Sequence, residues 1–206
     1  MTAKTRRESN SVMTWLVGEW QWPAACMFAG CAMLMLTPVW IATMGTALAL
    51  VLLQLPLYMV HEWEEHTGDR FRKYVNANLA HCEALTKPAT LWINAIGVWG
   101  VEIVAIYLAL FVNLSFGLIA LYLPVINALI HVRQAVARRE YNPGLWTSLA
   151  LFLPIGILGL YVVTAQSGAT WIDHFISAGF VVVVHLAIIL YIVRRVLRLR
   201  GKVAVG

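Results

Sequence analysis

The segment from His61 to His66 contains two histidines and three glutamates within six residues, at one end of a long apolar run. If the run is helical, His61, Glu64 and Glu65 are spaced i, i+3 and i+4 and project from one face. Glu62 and His66 lie about 100–140° further around a helix of 3.6 residues per turn and pair with each other. Because an ionisable group in a membrane segment costs about 2.5–3.5 kcal/mol, we expect a metal ion or a proton pathway to compensate this cluster.

Further polar side chains lie at a similar depth in later apolar runs. Glu102 is about thirteen residues into its run, or roughly 20 Å deep at 1.5 Å per residue. Asn127 and His131 are one helical turn apart near the inner end of another run, and His185 lies in the inner half of the last one. No Lys or Arg lies at that depth, so the partner of a buried carboxyl there is a metal, a histidine, an asparagine or its own proton.

Antiparallel packing would bring these groups together, as carboxylate and imidazole ligands converge in di-iron bundles. The predicted metal ligands are His61, Glu64, Glu65, Glu102, His131 and His185. This donor set suits one or two ions of iron, manganese or zinc. Glu65, Glu102 and His185 are also the candidate acid–base groups.

A second candidate element follows His131. Asn142 is predicted to cap the next helix, with Pro143 as its first residue. The exposed backbone amides at such a helix start also favour an anionic group. We therefore interpret Tyr141, Asn142 and Gly144 as candidate cofactor-binding residues.

The elements that must position these residues are membrane helices. With 61% hydrophobic and 12% charged residues in 206, the composition excludes a soluble domain with a polar surface and indicates a polytopic, all-α membrane bundle. Most apolar runs approach the roughly 20 residues that a helix needs to cross the bilayer. The six predicted runs are Trp22 to Leu36, Pro38 to Val60, Leu91 to Phe111, Phe116 to Val136, Leu145 to Thr164 and Trp171 to Val193. The fifth has no charged residue and is predicted to serve packing.

Positive charge sets the predicted orientation. All fifteen Lys and Arg residues lie on one side of the six-helix arrangement, which by the positive-inside rule is cytoplasmic and holds both termini. The net charge of +5 then indicates contact with anionic lipid and not with nucleic acid. The expected location is a bacterial cytoplasmic membrane, in a multi-pass arrangement.

The predicted organisation is one transmembrane bundle over 22–195, an N-terminal tail over 1–21 and a basic tail over 196–206. The first helix either extends back across Glu19 or begins beyond Pro38. Apolar residues spaced near helical periodicity predict a basic amphipathic helix on the inner leaflet near 69–85. It is either a surface anchor or a lid over the site.

His61-Glu62-Trp63-Glu64-Glu65 resembles the signature of the HXXEE family, bacterial membrane proteins regarded as candidate metal-binding enzymes. The further histidine and the Tyr-x-Pro-Gly motif of that family are similar to His131 and to Tyr141-Asn142-Pro143-Gly144. The likeness runs from about Pro56 to Pro154, and neither Glu102 nor His185 belongs to the motif; both are included on depth and face alone. It implies a metal site and names no substrate.

Three functions follow as hypotheses. The first is a membrane metalloenzyme acting on an apolar or lipid-like substrate from the inner leaflet, with oxidation slightly favoured over hydrolysis and a redox partner expected for the former. The second is a proton-coupled transporter or channel, with Glu102 and His185 as relay groups. The third is a structural membrane subunit, whose polar groups lock the helices together.

Overall fold

The computed structural model describes residues 14–16 and 20–203, and in these ranges the ordered elements are all helical. We number the principal helices from Trp22 onward. They are α1 (Trp22–Leu34), α2 (Thr37–Met44), α3 (Thr46–His66), α4 (Arg70–Tyr74), α5 (Lys87–Phe111), α6 (Gly117–Arg138), α7 (Leu145–Ser167) and α8 (Trp171–Val203).

Five helices are long and apolar enough to cross a membrane, and α1 and α2 together make up to a sixth span with a 48° bend. The contacts of α1 show how it runs. The Trp22 ring lies 5.0 Å from the ring of His66, at the far end of α3, and a Cβ built on Gly30 would meet Pro56 O and Met59 in the middle of α3. Because α1 and α3 are antiparallel and join at Gly45 through α2, this register favours a single broken span for the bent pair.

The helix boundary near Gly45 differs from the predicted run of Pro38 to Val60. Residues Thr37–Met44 form a separate helix, and the long span begins at Thr46. Gly45 has φ 79° and ψ 165°, a conformation that residues with a Cβ rarely adopt, so it ends one helix and starts the next. The question of an extension across Glu19 lies outside the described residues.

The predicted amphipathic helix is shorter than 69–85. The chain turns after α3 through two left-handed residues, Gly68 and Asp69, and then forms α4, which continues as a π-helical segment over Val75–Ala80. His81, also left-handed, ends the helix. At the other end of the chain α8 remains helical to Val203, so the predicted basic tail continues this helix within the described residues.

Helix α6 lies at the centre of the bundle and packs closely against α7. A Cβ on Gly159 would come within 2.2 Å of the Leu121 side chain, and one on Gly156 within 2.5 Å of Val125. Small residues permit this close approach of two membrane helices. The fifth run packs closely, as predicted, and its first residues lie beside the C-terminal end of α3.

Candidate metal centre

The first group of potential ligands joins α3 to α6. His61, Glu65 and His131 are buried and offer ligand atoms that all lie within 4.8 Å of one another. Nε2 of His61 is 3.5 Å from Glu65 Oε2, and Nε2 of His131 is 3.6 Å from Glu65 Oε1. The two imidazoles thus face one carboxylate from two helices.

The second group lies on α3 itself and shares Glu65 with the first. His66 Nε2 is 3.1 Å from Glu62 Oε2 and 3.2 Å from Glu65 Oε2, and all three side chains are buried. The predicted pairing of Glu62 with His66 is therefore present. These residues were not predicted as ligands, yet they form a second ligand group that adjoins the first through one carboxylate.

The geometry of the helix explains which residues converge. At about 100° per residue, positions 61, 65, 62 and 66 occupy one continuous arc of about 140°, whose centre lies between 65 and 62. Position 64 falls about 60° outside this arc on the other side of 61. The i, i+3 relation between His61 and Glu64 placed them on a common face, but the arc that turns inward is centred between Glu65 and Glu62.

Glu64 instead binds the start of α7. Its carboxylate accepts hydrogen bonds from the backbone N–H groups of Trp146 (3.1 Å) and Thr147 (2.7 Å), from the Thr147 hydroxyl (2.5 Å) and from the Tyr141 hydroxyl (2.9 Å). The predicted anion site at this helix start exists, and its anion is the protein's own carboxylate. Glu64 belongs to neither ligand group.

The Thr147 hydroxyl links Glu64 to His61 through hydrogen bonds. The Thr147 hydroxyl lies 2.5 Å from Glu64 Oε2, 3.3 Å from Gly144 O and 2.7 Å from His61 Nδ1. Its single proton goes to the carboxylate, the shorter and charge-assisted contact. The hydroxyl oxygen then accepts from His61 Nδ1–H, which leaves the lone pair of a neutral His61 on Nε2, toward Glu65. Asn127 Nδ2, 3.3 Å from that Nε2, is a donor that matches this lone pair.

Asn142 orients His131 in the same way. Its Nδ2 donates to the backbone carbonyl of His131 at 2.9 Å, which fixes Oδ1 as the atom 2.6 Å from His131 Nδ1. Nδ1 must therefore carry the proton, and the Nε2 lone pair points toward Glu65. Asn142 is fully buried and does not cap α7 as predicted; its backbone carbonyl accepts from Leu145 N in a turn, and α7 begins at Leu145.

Gly144 lies against both imidazoles. It has φ 99°, and a Cβ built there would lie 2.7 Å from Cε1 of His61 and 2.7 Å from Cε1 of His131. A side chain at this position would displace one or both rings. Tyr141, Asn142 and Gly144 thus support the candidate ligands, whereas we had interpreted them as contacts to a separate cofactor.

The surroundings of His66 Nε2 contain mismatched polar atoms. Asn94 Nδ2 donates to Thr90 O at 3.0 Å, which sets the amide orientation, and lies 2.9 Å from His66 Nε2. If Nε2 is protonated, it can donate to Glu62 or Glu65, but its N–H also faces the Asn94 N–H. If it is unprotonated, it accepts from Asn94 Nδ2, but its lone pair also faces the carboxylate oxygens. Among the described residues neither Glu62 oxygen has a hydrogen bond of good geometry, although His66 Nε2 lies 3.1 Å from Oε2. A cation among these atoms would be bound by the Nε2 lone pair and by the oxygens of Glu62 and Glu65.

The balance of charges also favours a cation at this site. Two buried carboxylates and three histidines with available lone pairs form a site that is costly unless compensated by positive charge. Aromatic rings enclose it: Phe152 lies 4.4 Å and Tyr58 5.6 Å from the His61 ring, while Phe71 of α4 lies 5.6 Å from His66. The rings of Phe152 and Tyr58 limit access of water to His61, whereas Glu65 and His66 also line a cavity.

Two predicted site residues lie away from both ligand groups. His185 donates from Nδ1 to Val181 O at 2.9 Å and lines a cavity together with Glu65 and His66. Glu102 is fully buried, and neither of its oxygens has a hydrogen-bond partner among the residues that the structure describes. Of the six predicted ligands, the structure brings together His61, Glu65 and His131.

Sequence reasoning did not identify Thr147 or Phe152, and it placed Glu62 and His66 outside the site. The arc that contains positions 62 and 66 was available from helical periodicity. Nothing in the local sequence around Thr147 signals its contact with His61, because the two residues are 86 positions apart.

Tyr141 lies between α6 and α7, at the edge of the site. Partial burial and the hydrogen bond to the Glu64 carboxylate raise its pKa to about 12. The hydroxyl therefore stays protonated as a donor to Glu64 at neutral pH.

Comparison with known proteins gives one match. The model of the family described as "Protein of unknown function with HXXEE motif" matches residues 52–159, which is more than half of the chain and includes both ligand groups. No curated protein and no solved structure gives a significant match. The His, Glu and Glu of that motif are His61, Glu64 and Glu65, so the motif combines two ligand-group residues with the carboxylate that anchors α7. The chain belongs to the HXXEE family.

Proposed function

We propose that this protein is a membrane-embedded metalloenzyme. The observation that carries the proposal is the shared carboxylate of Glu65, which three histidine Nε2 atoms approach within 3.2–3.6 Å from two helices. Shared carboxylates with imidazole ligands are typical of sites that hold two adjacent ions. The ions would be iron, manganese or zinc.

The residues that would hold them divide between the groups. His61 and His131 would bind one ion through Nε2, His66 and Glu62 the other, and Glu65 would contact both. The chemistry that such ions supply is oxidation with dioxygen for iron or manganese and hydrolysis for zinc. We favour oxidation slightly, because the set is rich in carboxylates; it would require a redox partner to deliver electrons.

The protein's own groups would handle the substrate on the cavity side. Glu65 and His66 line the cavity, whereas His61 and His131 lie behind them against Gly144 and Phe152. His185 also lines the cavity; since its Nδ1–H donates to Val181 O, the neutral ring presents a lone pair on Nε2. We assign His185 as the candidate acid–base group and infer an apolar or lipid-like substrate from the apolar cavity walls.

The location that we propose is the cytoplasmic membrane of a bacterium, with the site in its inner half. The five to six apolar helices support a multi-pass arrangement, and the charge distribution supports a cytoplasmic face next to α4.

Elemental analysis of the purified protein tests the proposal. Wild-type protein should contain about one or two equivalents of metal, and His61→Ala, His131→Ala and Glu65→Gln should lose most of it. His174→Ala is the matched control, because His174 is also a membrane histidine with two hydrogen bonds, to Tyr122 and Thr164. Folded wild-type protein without metal, or equal loss from His174→Ala, would overturn the proposal.

A second candidate function is proton-coupled transport. Glu102 supports it, as a fully buried carboxyl without a hydrogen-bond partner in a long apolar helix. It predicts proton-dependent solute flux in liposomes that Glu102→Gln abolishes while the metal content stays unchanged. Absence of proton-dependent flux with the wild-type protein, or equal flux with Glu102→Gln, would exclude transport.

A further inference from the structure

A cavity of about 570 Å³ opens beside Glu65 and His66. Its volume lies within the range of about 300–1,000 Å³ that is typical of small-molecule sites. Polar side chains are concentrated at its two ends. Glu65, His66, Asn94, Asn127 and His185 form the inner end, and Arg133 and Arg200 lie at the other.

The walls between these ends are apolar and come from several helices. Ile93 and Val98 of α5 form one side, and Ile188 and Ile192 of α8 form another. Most of the lining side chains are aliphatic, which fits an alkyl chain better than a polar solute.

The two arginines have no hydrogen bond or ion pair within the part of the chain that the structure describes. Arg72 pairs with Asp69 and Glu83, and Arg138 pairs with Glu140, whereas Arg139 and Arg198 have no ion pair among the described residues either. Position on the cavity lining is what distinguishes Arg133 and Arg200. Arg133 and Arg200 are also exposed, so a ligand head can reach them.

We propose that this cavity binds a single-chain amphiphile whose anionic head contacts Arg133 and Arg200 and whose alkyl chain extends toward Glu65 and His66. The opposite orientation would place the anion against the Glu65 carboxylate, which repels it. The assignment of this amphiphile as a substrate rests on the proposed function, whereas its binding to the cavity can be tested separately.

The helices set the distance between head and ligand groups. Asn127 and Arg133 are six residues apart on α6, or roughly 9 Å along its axis, and His185 and Arg200 are fifteen apart on α8, or roughly 22 Å. An anionic head at Arg200 therefore brings the interior of the chain, and not the head, next to His185.

Direct binding tests the inference on the full-length protein in nanodiscs of neutral phosphatidylcholine. The probes are radiolabelled oleate and oleoyl lysophosphatidate, which carry carboxylate and phosphate heads, and oleyl alcohol as the neutral analogue. We expect saturable binding of at least one anionic probe, and the tighter of the two identifies the head. Arg133→Gln with Arg200→Gln should weaken that binding about tenfold or more, as expected for loss of charge-assisted hydrogen bonds, and leave oleyl alcohol unchanged.

Arg139→Gln with Arg198→Gln is the matched control. These exposed arginines lie at the end of α6 and on α8 and do not line the cavity. Equal weakening by both pairs, equal binding of oleyl alcohol, or no saturable binding would overturn the inference. Metal content measured on the same samples separates the two proposals: metal-replete protein without arginine-dependent binding refutes this inference alone, and metal-free protein with such binding refutes the metalloenzyme alone.

Discussion

Gly144 connects the Tyr-x-Pro-Gly motif to the candidate ligands, and Gly144→Ala perturbs that connection with a single methyl group. The new Cβ would lie 2.7 Å from Cε1 of both His61 and His131, well inside van der Waals contact. Overpacking of this kind costs about 1–3 kcal/mol, and a non-glycine residue at positive φ costs about 1–2 kcal/mol more. We expect a loss of about 2–5 kcal/mol in unfolding free energy and at least a tenfold loss of metal affinity, because the rings must move.

Gly168→Ala is the matched control. Gly168 also has positive φ, 68°, but a Cβ there meets nothing within 4 Å, so this variant carries backbone strain without the contact. It should lose about 1–2 kcal/mol and retain its metal. The assays are denaturant unfolding in detergent and elemental analysis. If both variants lost the same stability and both kept their metal, the assignment of Gly144 as a support of the two imidazoles would be wrong.

Three further outcomes follow from the contacts around the site. Thr147→Val, which removes the hydroxyl between Glu64 and His61, should lower metal affinity by about 10–100-fold, whereas Thr147→Ser should restore it; equal affinity in both, measured by competition with a chelator, would contradict the relay. Glu65→Gln should abolish binding of both ions, while Glu64→Gln should mainly lower the melting temperature; a larger metal loss in Glu64→Gln would reverse their roles. Tyr141 has a pKa raised to about 12, so the stability from its protonated hydroxyl is fully present below pH 10 and is lost as pH rises through about 12. The tyrosinate absorbance of wild type minus that of Tyr141→Phe should show this late titration, and a midpoint near 10 would contradict the bond to Glu64.

Charge and hydropathy by themselves were enough to predict a helical membrane protein. Apolar runs near 20 residues and the absence of Lys and Arg from their interiors leave few other folds, because backbone groups in lipid must be satisfied within a helix. Helix boundaries that depend on backbone conformation could not be predicted from hydropathy. Gly45 divides the predominantly apolar run from Pro38 to Val60. Its positive φ ends one helix there, and hydropathy does not depend on φ.

Local periodicity also indicated the ligand face of α3, but with its edge misplaced by one position. His61 and Glu65 were predicted correctly to lie together, while Glu64 was assigned to that face on the basis of its i+3 spacing. The bundle turns a different arc inward, because Glu64 finds the unpaired N–H groups at the start of α7. That choice depends on a neighbour far away in sequence.

The chain's own pattern therefore determined the helical, membrane-type class of the protein and three of the candidate ligands, His61, Glu65 and His131. The tertiary structure decided which donors share an ion-sized space and which serve other bonds. The physical reason is range: helical periodicity acts over four or five residues, whereas the contacts of His61 with Thr147 and of Glu65 with His131 join residues more than sixty positions apart. Such contacts exist only after α6 and α7 have packed against α3.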